Sequence, residues 1–358
     1  MNREEPMERQ RSYYLDRLRV LSILLLFPVH TFMIWNDYGQ KFYVWGGENR
    51  LLSSLIILAN PWFMPILFVI AGMCAKYSLE KRTTKEFIHE RVQKLLIPFF
   101  SGLVFLVPFQ TLFARKYFDG YSGTIVENIL YFFTHFTDLS GYDGAFTPGQ
   151  LWFILFLFLI SLVALLIAKL VPYGKVQNLV SQSNIIAILA LFPLVWAGYY
   201  IGNFGGFSLG KNLVLYLLGY YILSNEKVLE VLEKFWALLF SLFCVSLLTL
   251  VFLYYNYAYY GDWLVNFVSW VGSCALIATG IKFFNTSSKT LRYLNQASFP
   301  IYILHQSILV AVGYYVLRYL NGLFLQVVTI MGVSFLLTIG LYEIIKRIPF
   351  VKTLIGMK

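Results

Sequence analysis

Charged residues are scarce in this sequence. Asp, Glu, Lys and Arg together make up 13% of its 358 residues, whereas 59% are hydrophobic, 19% are aromatic and the mean hydropathy is +0.68. A soluble chain of this length could not bury so many apolar side chains without leaving large exposed patches. Disordered chains have the opposite composition, with few apolar residues and many charges. The composition therefore excludes both classes and indicates an integral membrane protein.

Cysteine and histidine are also rare, and their positions argue against a disulfide framework or a metal site. The three cysteines, Cys74, Cys244 and Cys274, lie apart in apolar or juxtamembrane sequence. None of them belongs to a CxxC motif, and no histidine stands at metal-ligand spacing from them. We therefore expect neither structural disulfides nor a bound metal.

Long hydrophobic runs, in contrast, recur along the whole chain. A helix needs about 20 mostly apolar residues to cross about 30 Å of hydrocarbon, and ten stretches approach that length. We predict an all-α polytopic membrane protein with a single domain over residues 1–358 and about ten transmembrane helices. The first span lacks a small-residue cleavage site and should be retained as a helix. The predicted spans are 17–36, 51–73, 92–113, 150–168, 184–203, 209–224, 235–254, 263–283, 299–318 and 323–345.

Lysine and arginine are distributed unevenly between the two sides of these spans. Cations in short loops tend to remain cytoplasmic. With a cytoplasmic N-terminus, 22 of the 28 Lys and Arg residues lie on the inner side. We therefore predict that both termini are cytoplasmic, and we assign the net charge of +10 to topology and attraction to anionic lipid, not to nucleic-acid binding. The six cations on the outer side are Lys41, Arg50, Arg115, Lys116, Lys211 and Arg318.

The longest segment outside the spans, at about 114–149, is predicted to be extracytoplasmic. It is rich in Gly, Thr, Tyr and Asp and contains "FDGYSG" and "DLSGYDGAFTPGQ". Loops longer than about 15 residues are usually functional or disordered, and an aromatic, hydroxyl-rich loop suits contact with sugars or polar headgroups. The alternative is a connector with a short helix at 124–136, and the sequence does not decide between the two.

Two of the four histidines lie inside predicted spans, where ionisable groups are costly and often functional. His30 is deep in the first span, and Arg19 stands at its cytoplasmic end. Their separation corresponds to a rotation of about 1100° and a rise of about 16 Å, so the two side chains share a helix face. Pro28 is expected to kink the helix near His30. The pair could line a polar path from the cytoplasm; alternatively, His30 makes a packing hydrogen bond and Arg19 only anchors the helix.

The second intramembrane histidine, His305, is in the ninth span. Ser298, Tyr302 and His305 are spaced by four and three residues, which places them on one helical face. Their polar groups could orient a substrate or support a catalytic partner. The alternative is a structural hydrogen-bond ladder between helices.

A basic loop at about 75–95 is predicted to be cytoplasmic. It carries six cations interleaved with acidic residues. Because arginine and lysine bind phosphate oxygens well, the loop could hold a polyphosphate group. The alternative is a solvated amphipathic connector. The candidate phosphate ligands are Lys81, Arg82, Lys85, Arg91 and Lys94.

Taken together, these segments resemble the membrane-bound acyltransferase 3 family. Arg19 and His30, after the lead-in "LDRLR", match an arginine and a histidine that the family carries ten residues apart in its first helix. "FVIAGMCAKYSLEKR", "ERVQKLLIP", "GQLWFILFLF" and "ASFPIYILHQSI" are similar to further family motifs. The likeness covers about residues 12–355 and is greatest to the branch that includes osmoregulated periplasmic glucan succinyltransferases. The sequence departs from the family pattern at Ala71, Gln150 and Ser307, where serine, histidine and proline are common.

The resemblance implies a multi-pass enzyme of the bacterial plasma membrane that transfers an acyl group from cytosolic acyl-CoA to a carbohydrate hydroxyl beyond the outer face. His30 would be the general base, or would carry the acyl group transiently. The implied catalytic residues are His30, Arg19, His305 and Tyr302. The implied ligands of the CoA phosphates are Arg19, Arg82, Lys85, Arg91 and Lys94. Asp16, Trp152 and Ser298 are expected to contact substrate.

Several features are left open by the sequence. The branch resemblance favours succinyl as the transferred group, whereas the lack of a Lys or Arg at the depth of His30 favours acetyl. Tyr302, His305 or Trp152 could stabilise the oxyanion. A glycan or small-molecule transporter that uses the same histidine is the main alternative function, although the spans contain almost no acidic groups for an ion relay. A non-catalytic membrane subunit is a second alternative, and the apolar outer surfaces would permit a homodimer.

Overall fold

The protein is built almost entirely from helices. A computed structural model describes residues 13–38, 41–204, 206–259 and 261–357. These residues form nineteen α-helices and one two-stranded antiparallel hairpin, in which β1 (Asn203–Phe204) pairs with β2 (Phe207–Ser208). The expectation of an all-α fold is confirmed.

The first twelve helices lie in the first 200 residues. A π-helical turn at Val92–Leu96 joins α5 to α6, and a 3₁₀ turn at Gly149–Leu151 leads into α9. The bounds are α1 Tyr13–Leu24, α2 Leu26–Met33, α3 Arg50–Phe63, α4 Pro65–Leu79, α5 Thr84–Arg91, α6 Ile97–Phe105, α7 Val107–Phe118, α8 Ile125–Thr134, α9 Trp152–Leu170, α10 Tyr173–Val180, α11 Ile185–Leu189 and α12 Phe192–Tyr199.

The remaining seven helices follow the hairpin and include the longest ones. Their bounds are α13 Leu209–Tyr221, α14 Glu226–Lys234, α15 Trp236–Tyr257, α16 Asp262–Phe283, α17 Lys289–Tyr319, α18 Leu323–Ile345 and α19 Pro349–Leu354.

Seven helical segments among the described residues are long and apolar enough to cross a membrane, which confirms a multi-pass membrane protein. The other three predicted spans correspond to the shorter helices α1–α2, α11–α12 and α13. The count of about ten spans therefore stays a prediction. The seven segments are Arg50–Leu79, Thr84–Phe118, Gly149–Leu170, Trp236–Tyr257, Asp262–Phe283, Lys289–Tyr319 and Leu323–Ile345.

Prolines account for two helix interruptions, one in the first predicted span and one in the segment Arg50–Leu79. A proline removes one backbone donor and its ring clashes with the carbonyl four residues earlier, which interrupts a helix ahead of it. The first helix is interrupted at Leu25, three residues before Pro28, and α3 gives way to α4 at Met64, directly before Pro65. The predicted kink near His30 is confirmed, and it separates α1, which carries Arg19, from α2, which carries His30.

Two glycines allow α4 and α13 to pack with their backbones almost in contact. A Cβ atom at Gly72 would lie 2.0 Å from the backbone oxygen of Tyr216, and one at Gly219 would lie 2.2 Å from that of Val69. Small residues at helix crossings permit such approaches in membranes, where burying apolar surface provides little driving force between helices. The contact fixes α13 beside α4 in the middle of the bundle.

The loop at 114–149 contains the short helix predicted within 124–136, since α8 spans Ile125–Thr134. Thr124 and Glu127 form a reciprocal capping box at its start, and these hydrogen bonds lower the pKa of Glu127 below its ordinary value. The guanidinium of Arg115 lies between the rings of Tyr121 and Tyr131, 3.9 and 4.1 Å from their centroids. These contacts give the loop a defined structure.

Candidate active site

Two histidines from distant parts of the sequence meet inside the bundle. His30 of α2 and His305 of α17 are joined by a hydrogen bond of 3.1 Å between His30 Nδ1 and His305 Nε2. His305 is fully buried, whereas His30 is only half-buried. His30 is therefore the more exposed ring of the pair.

The contacts of His305 set the direction of the hydrogen bonds through the pair. Its Nδ1 lies 2.7 Å from the backbone oxygen of Tyr302, and a carbonyl oxygen only accepts hydrogen bonds, so Nδ1 carries a proton. When both rings are neutral, His305 Nε2 is then an acceptor and His30 Nδ1 is the donor to it. The lone pair of His30 consequently lies on Nε2. This arrangement orients His30 as a proton acceptor and lets His305 stabilise the imidazolium that forms.

Tyr302 supports His305 and is itself held in place from a third helix. Its side chain is buried, and its hydroxyl donates a hydrogen bond to the backbone oxygen of Gln150 in the 3₁₀ turn that leads into α9. The hydroxyl of Ser298, one turn earlier, donates to the backbone oxygen of Asn295, 2.9 Å away within the same helix. The structure thus brings Tyr302 and His305 together through Tyr302's backbone oxygen, while Ser298 bonds to its own helix.

Arg19 contacts the same helix as His30, namely α17. Its guanidinium donates to Asn295 Oδ1 of α17 at 3.1 Å and to Asp16 Oδ1 at 3.0 Å, and it also approaches Cys74 Sγ at 3.7 Å. Since Asn295 and His305 are both on α17, the shared face of the first helix packs along α17. Asp16 forms an ion pair with Arg19 at the end that the charge distribution places in the cytoplasm.

The cations of the 75–95 loop are partly neutralised by two carboxylates, and Glu80 pairs with Lys76 at 3.0 Å. Arg82 and Lys94 both form ion pairs with Glu90, and the guanidinium of Arg91 lies over the Phe87 ring at 4.6 Å. Residues 81–94 contain five cations and two acids, so a net positive charge remains. Lys85 is exposed on α5.

Arg91 is the last residue of α5. It lies within electrostatic range of Tyr216, as does Cys74, which contacts Arg19. The Nε of Arg91 is buried and has no hydrogen-bond partner among the described residues. A buried donor without a partner is costly, and an anion bound beside Arg91 would satisfy it.

Aromatic side chains on the side of the bundle predicted to be extracytoplasmic pack against His30. Phe42 stacks on His30 with ring centroids 6.1 Å apart, and the Tyr142 ring lies 5.6 Å from Phe42. Tyr43 contacts Tyr142 at 4.9 Å and donates a hydrogen bond of 3.2 Å to the backbone oxygen of Ser140. The 114–149 loop therefore reaches the candidate site, and its contact with a sugar stays a prediction.

A buried network of glutamine side chains lies next to the turn of α17 that carries His305. The sequence analysis did not predict it. Gln110 Nε2 donates to Gln150 Oε1 at 2.6 Å and to Ser307 Oγ at 2.9 Å, and Gln306 Nε2 donates to Gln110 Oε1 at 2.9 Å. Gln150 donates to the backbone oxygen of Ile303 at 2.9 Å. The network ties α7 and the start of α9 to the turn of α17 that carries His305. The sequence feature that indicates this network is the polar pair Gln306 and Ser307 directly after His305. Neither side chain is ionisable, so a search for ionisable groups in the spans does not find them.

The comparison with known families identifies the class of protein. Residues 12–343 match a family described as "Acyltransferase domain", which covers most of the chain. The chain belongs to this acyltransferase family. No solved structure matches it.

Curated relatives of this acyltransferase extend over the whole chain at low identity. Glucans biosynthesis protein C of Escherichia coli K12 is 23% identical over 401 aligned residues, which cover 99% of this chain and 96% of the relative. The protein of the same name from Escherichia coli O139:H28 is 22% identical over 404 aligned residues, with the same coverage. The family and the seven apolar helices together establish a multi-pass bacterial membrane enzyme of the acyltransferase class.

Trp152 of the acyltransferase lies apart from the histidine pair. Its ring stacks on Phe207 of β2 with centroids 4.0 Å apart, and Phe153 separates it from Tyr302, whose ring is 5.6 Å from that of Phe153. The other candidate donors to the oxyanion, the hydroxyl of Tyr302 and the Nδ1–H of His305, already form hydrogen bonds. The indole N–H of Trp152 makes no hydrogen bond within the described part of the chain.

No group of three or more His, Cys, Asp or Glu side chains suited to a metal ion occurs within the described ranges.

Proposed function

We propose that this acyltransferase moves a succinyl or acetyl group from cytosolic acyl-CoA to a hydroxyl of a cell-envelope glucan, with His30 as the general base. The observation that carries the proposal is the His30–His305 hydrogen bond, because it leaves a lone pair on the more accessible ring of the pair. The family supports acyl transfer, and the printed name of the relatives supports a glucan as the acceptor.

The donor would enter from the end of the bundle that holds Arg19 and Arg91. These guanidiniums suit the phosphates of CoA, since arginine binds phosphate with paired hydrogen bonds. Arg82, Lys85 and Lys94 of the neighbouring loop add positive charge for the same group. The rise of about 16 Å from Arg19 to His30 is comparable with the length of the pantetheine arm. The thioester would then lie beside His30.

The chemical step needs only proton transfers through His30. The acceptor hydroxyl attacks the thioester carbonyl while its proton moves to His30 Nε2. The tetrahedral intermediate collapses, the carbon–sulfur bond breaks, and the proton returns from His30 to the CoA thiolate. His305 holds the ring orientation and stabilises the imidazolium between these steps, in the way that a second residue supports the base in other acyl transfers.

The acceptor would approach from the opposite side, over Phe42, Tyr43 and Tyr142. Phe42 stacks on His30 and packs against Tyr43 and Tyr142. Phe42 and Tyr43 are buried, whereas Tyr142 is half-buried, so Tyr142 is the ring of this cluster that would meet a sugar. The 114–149 loop would thereby select the glycan.

A sided transfer assay in proteoliposomes tests this proposal. Acyl-CoA with a labelled acyl group is supplied on one side and a β-glucan on the other, with acetyl and succinyl donors compared. The proposal expects label on the glucan with the parent and background levels with His30→Gln. A matched control is Thr338→Val on α18, whose hydroxyl only donates to the backbone oxygen of Ser334 and which should retain activity. Glucan that crosses the membrane without label would instead support a transporter.

A further inference from the structure

Five of the six outer cations form no ion pair with a carboxylate among the described residues, and Lys116 and Arg318 are two of these five. Lys116 at the end of α7 lies over the Phe113 ring at 5.9 Å, and Arg318 at the end of α17 donates to the hydroxyl of Tyr314 at 3.1 Å. Arg50, in contrast, pairs with Asp37, and Arg115 is held between two tyrosines. Lys116 and Arg318 therefore keep their charge available for an external anion.

These two cations line the same pocket. It has a volume of about 230 Å³ and is formed by Lys116, Tyr117, Tyr314, Leu317 and Arg318, between the outer ends of α7 and α17. The two cations and the hydroxyl of Tyr314, which accepts from Arg318 and keeps its own proton, can donate hydrogen bonds to a phosphate group, whereas the hydroxyl of Tyr117 is donated to the backbone oxygen of Trp45.

An apolar groove lies next to this pocket on the same two helices. Its volume is about 600 Å³, and α18 forms its other wall. Phe113 lines the groove and packs against Tyr314 of the pocket with ring centroids 5.3 Å apart, so the two cavities share a wall. Ser307 is the one polar side chain in the lining, and its hydroxyl is engaged with the backbone oxygen of Leu106. The helices that line the groove belong to segments long and apolar enough to cross a membrane. Residues that line it include Phe109, Phe113, Ile308, Val312, Leu337 and Gly340.

We propose that this composite cavity binds an anionic phospholipid from the outer leaflet, with its phosphate between Lys116 and Arg318 and an acyl chain in the groove. The charge of the pocket and the apolar lining of the groove match the two halves of such a lipid. The bound chain bridges α7 and α18 across α17, the helix that carries His305. The lipid is assigned to the outer leaflet because the cation distribution predicts that this end of the bundle lies outside.

Native mass spectrometry of the purified full-length protein tests the site. The probe is phosphatidylglycerol, and diacylglycerol with the same chains and glycerol 3-phosphate separate the contributions of the headgroup and the chains. Phosphatidylglycerol should bind more tightly than either. Removing both charges with Lys116→Gln and Arg318→Gln should weaken it about thirtyfold, at about 1 kcal/mol for each cation near a membrane surface. A matched control removes two exposed cations from the opposite end of the bundle, Lys169→Gln with Lys175→Gln, and should leave binding unchanged.

A second variant tests the groove without altering charge. A Cβ at Gly340 meets no atom within 4 Å, so Gly340→Leu can fill the groove without a clash in the fold. It should weaken phosphatidylglycerol and leave glycerol 3-phosphate unaffected. The proposal is overturned if the double charge variant binds phosphatidylglycerol as the parent does. It is equally overturned if diacylglycerol binds as tightly, or if glycerol 3-phosphate competes at equal concentration, because the site would then not recognise an anionic lipid.

Discussion

Replacing His305 with alanine removes the acceptor of the hydrogen bond from His30 without touching the base itself. In the proposed mechanism this bond strengthens when His30 takes a proton, because hydrogen bonds to charged groups contribute about 1.5–3 kcal/mol. Since about 1.4 kcal/mol corresponds to a tenfold change in rate, kcat should fall about 10- to 150-fold. The binding of acyl-CoA, which relies on the distant cations, should change little. His305 therefore acts as a positioning residue.

The assay is release of free thiol from acyl-CoA in lipid nanodiscs in the presence of glucan, with kcat and KM determined separately. His305→Gln keeps an oxygen that can accept from His30 Nδ1, so it should recover part of the lost rate. A structural role alone would lower the amount of folded enzyme and would not give this rescue. The reasoning is refuted if His305→Ala retains the parental kcat, or if the alanine and glutamine variants are equally impaired at equal thermal stability.

Three further outcomes are expected. Arg19→Gln should raise KM for acyl-CoA about tenfold by removing charge-assisted hydrogen bonds to phosphate, and an unchanged KM in steady-state kinetics would remove Arg19 from the donor site. Gly72→Ala should destabilise the protein by about 1–3 kcal/mol through a clash with the neighbouring helix backbone, whereas Gly332→Ala, with no atom within 4 Å of its Cβ, should not lower the thermal midpoint. Burial opposes ionisation of Asp37, but hydrogen bonds from its neighbours outweigh burial and lower its pKa below the ordinary value of 3.8. Its stabilising contribution is therefore present above pH 3.8 and is lost as the pH falls through the lowered pKa, so Asp37→Asn should lower the thermal midpoint at pH 7 and the difference should vanish in acid.

The helical membrane fold follows from composition and from the length of the apolar runs, which the bilayer itself imposes. The kink near His30 follows from Pro28, and the shared face of Arg19 and His30 follows from the geometry of the helix. Both features depend on residues close in sequence. They could therefore be predicted without knowledge of the tertiary structure.

The pairing of His30 with His305 could not be predicted in the same way. The two residues are separated by 275 positions, and only the packing of the first helix along α17 brings them together. The glutamine network and the close approach at Gly72 likewise depend on which helices are neighbours. Short apolar helices such as α13 are also hard to assign from hydropathy, because a helix that packs inside the bundle need not match the full thickness of the bilayer.

The most direct test of the central claim is glucan-dependent release of thiol from acyl-CoA by the parent and by His30→Gln, each purified in nanodiscs. Glutamine retains the size and polarity of the ring edge but cannot take a proton at neutral pH. The account predicts rapid release that requires glucan in the parent and a fall of at least about a hundredfold in the variant, the lower end of what general-base catalysis contributes. Equal glucan-dependent rates for the two proteins would contradict the assignment of His30 as the base.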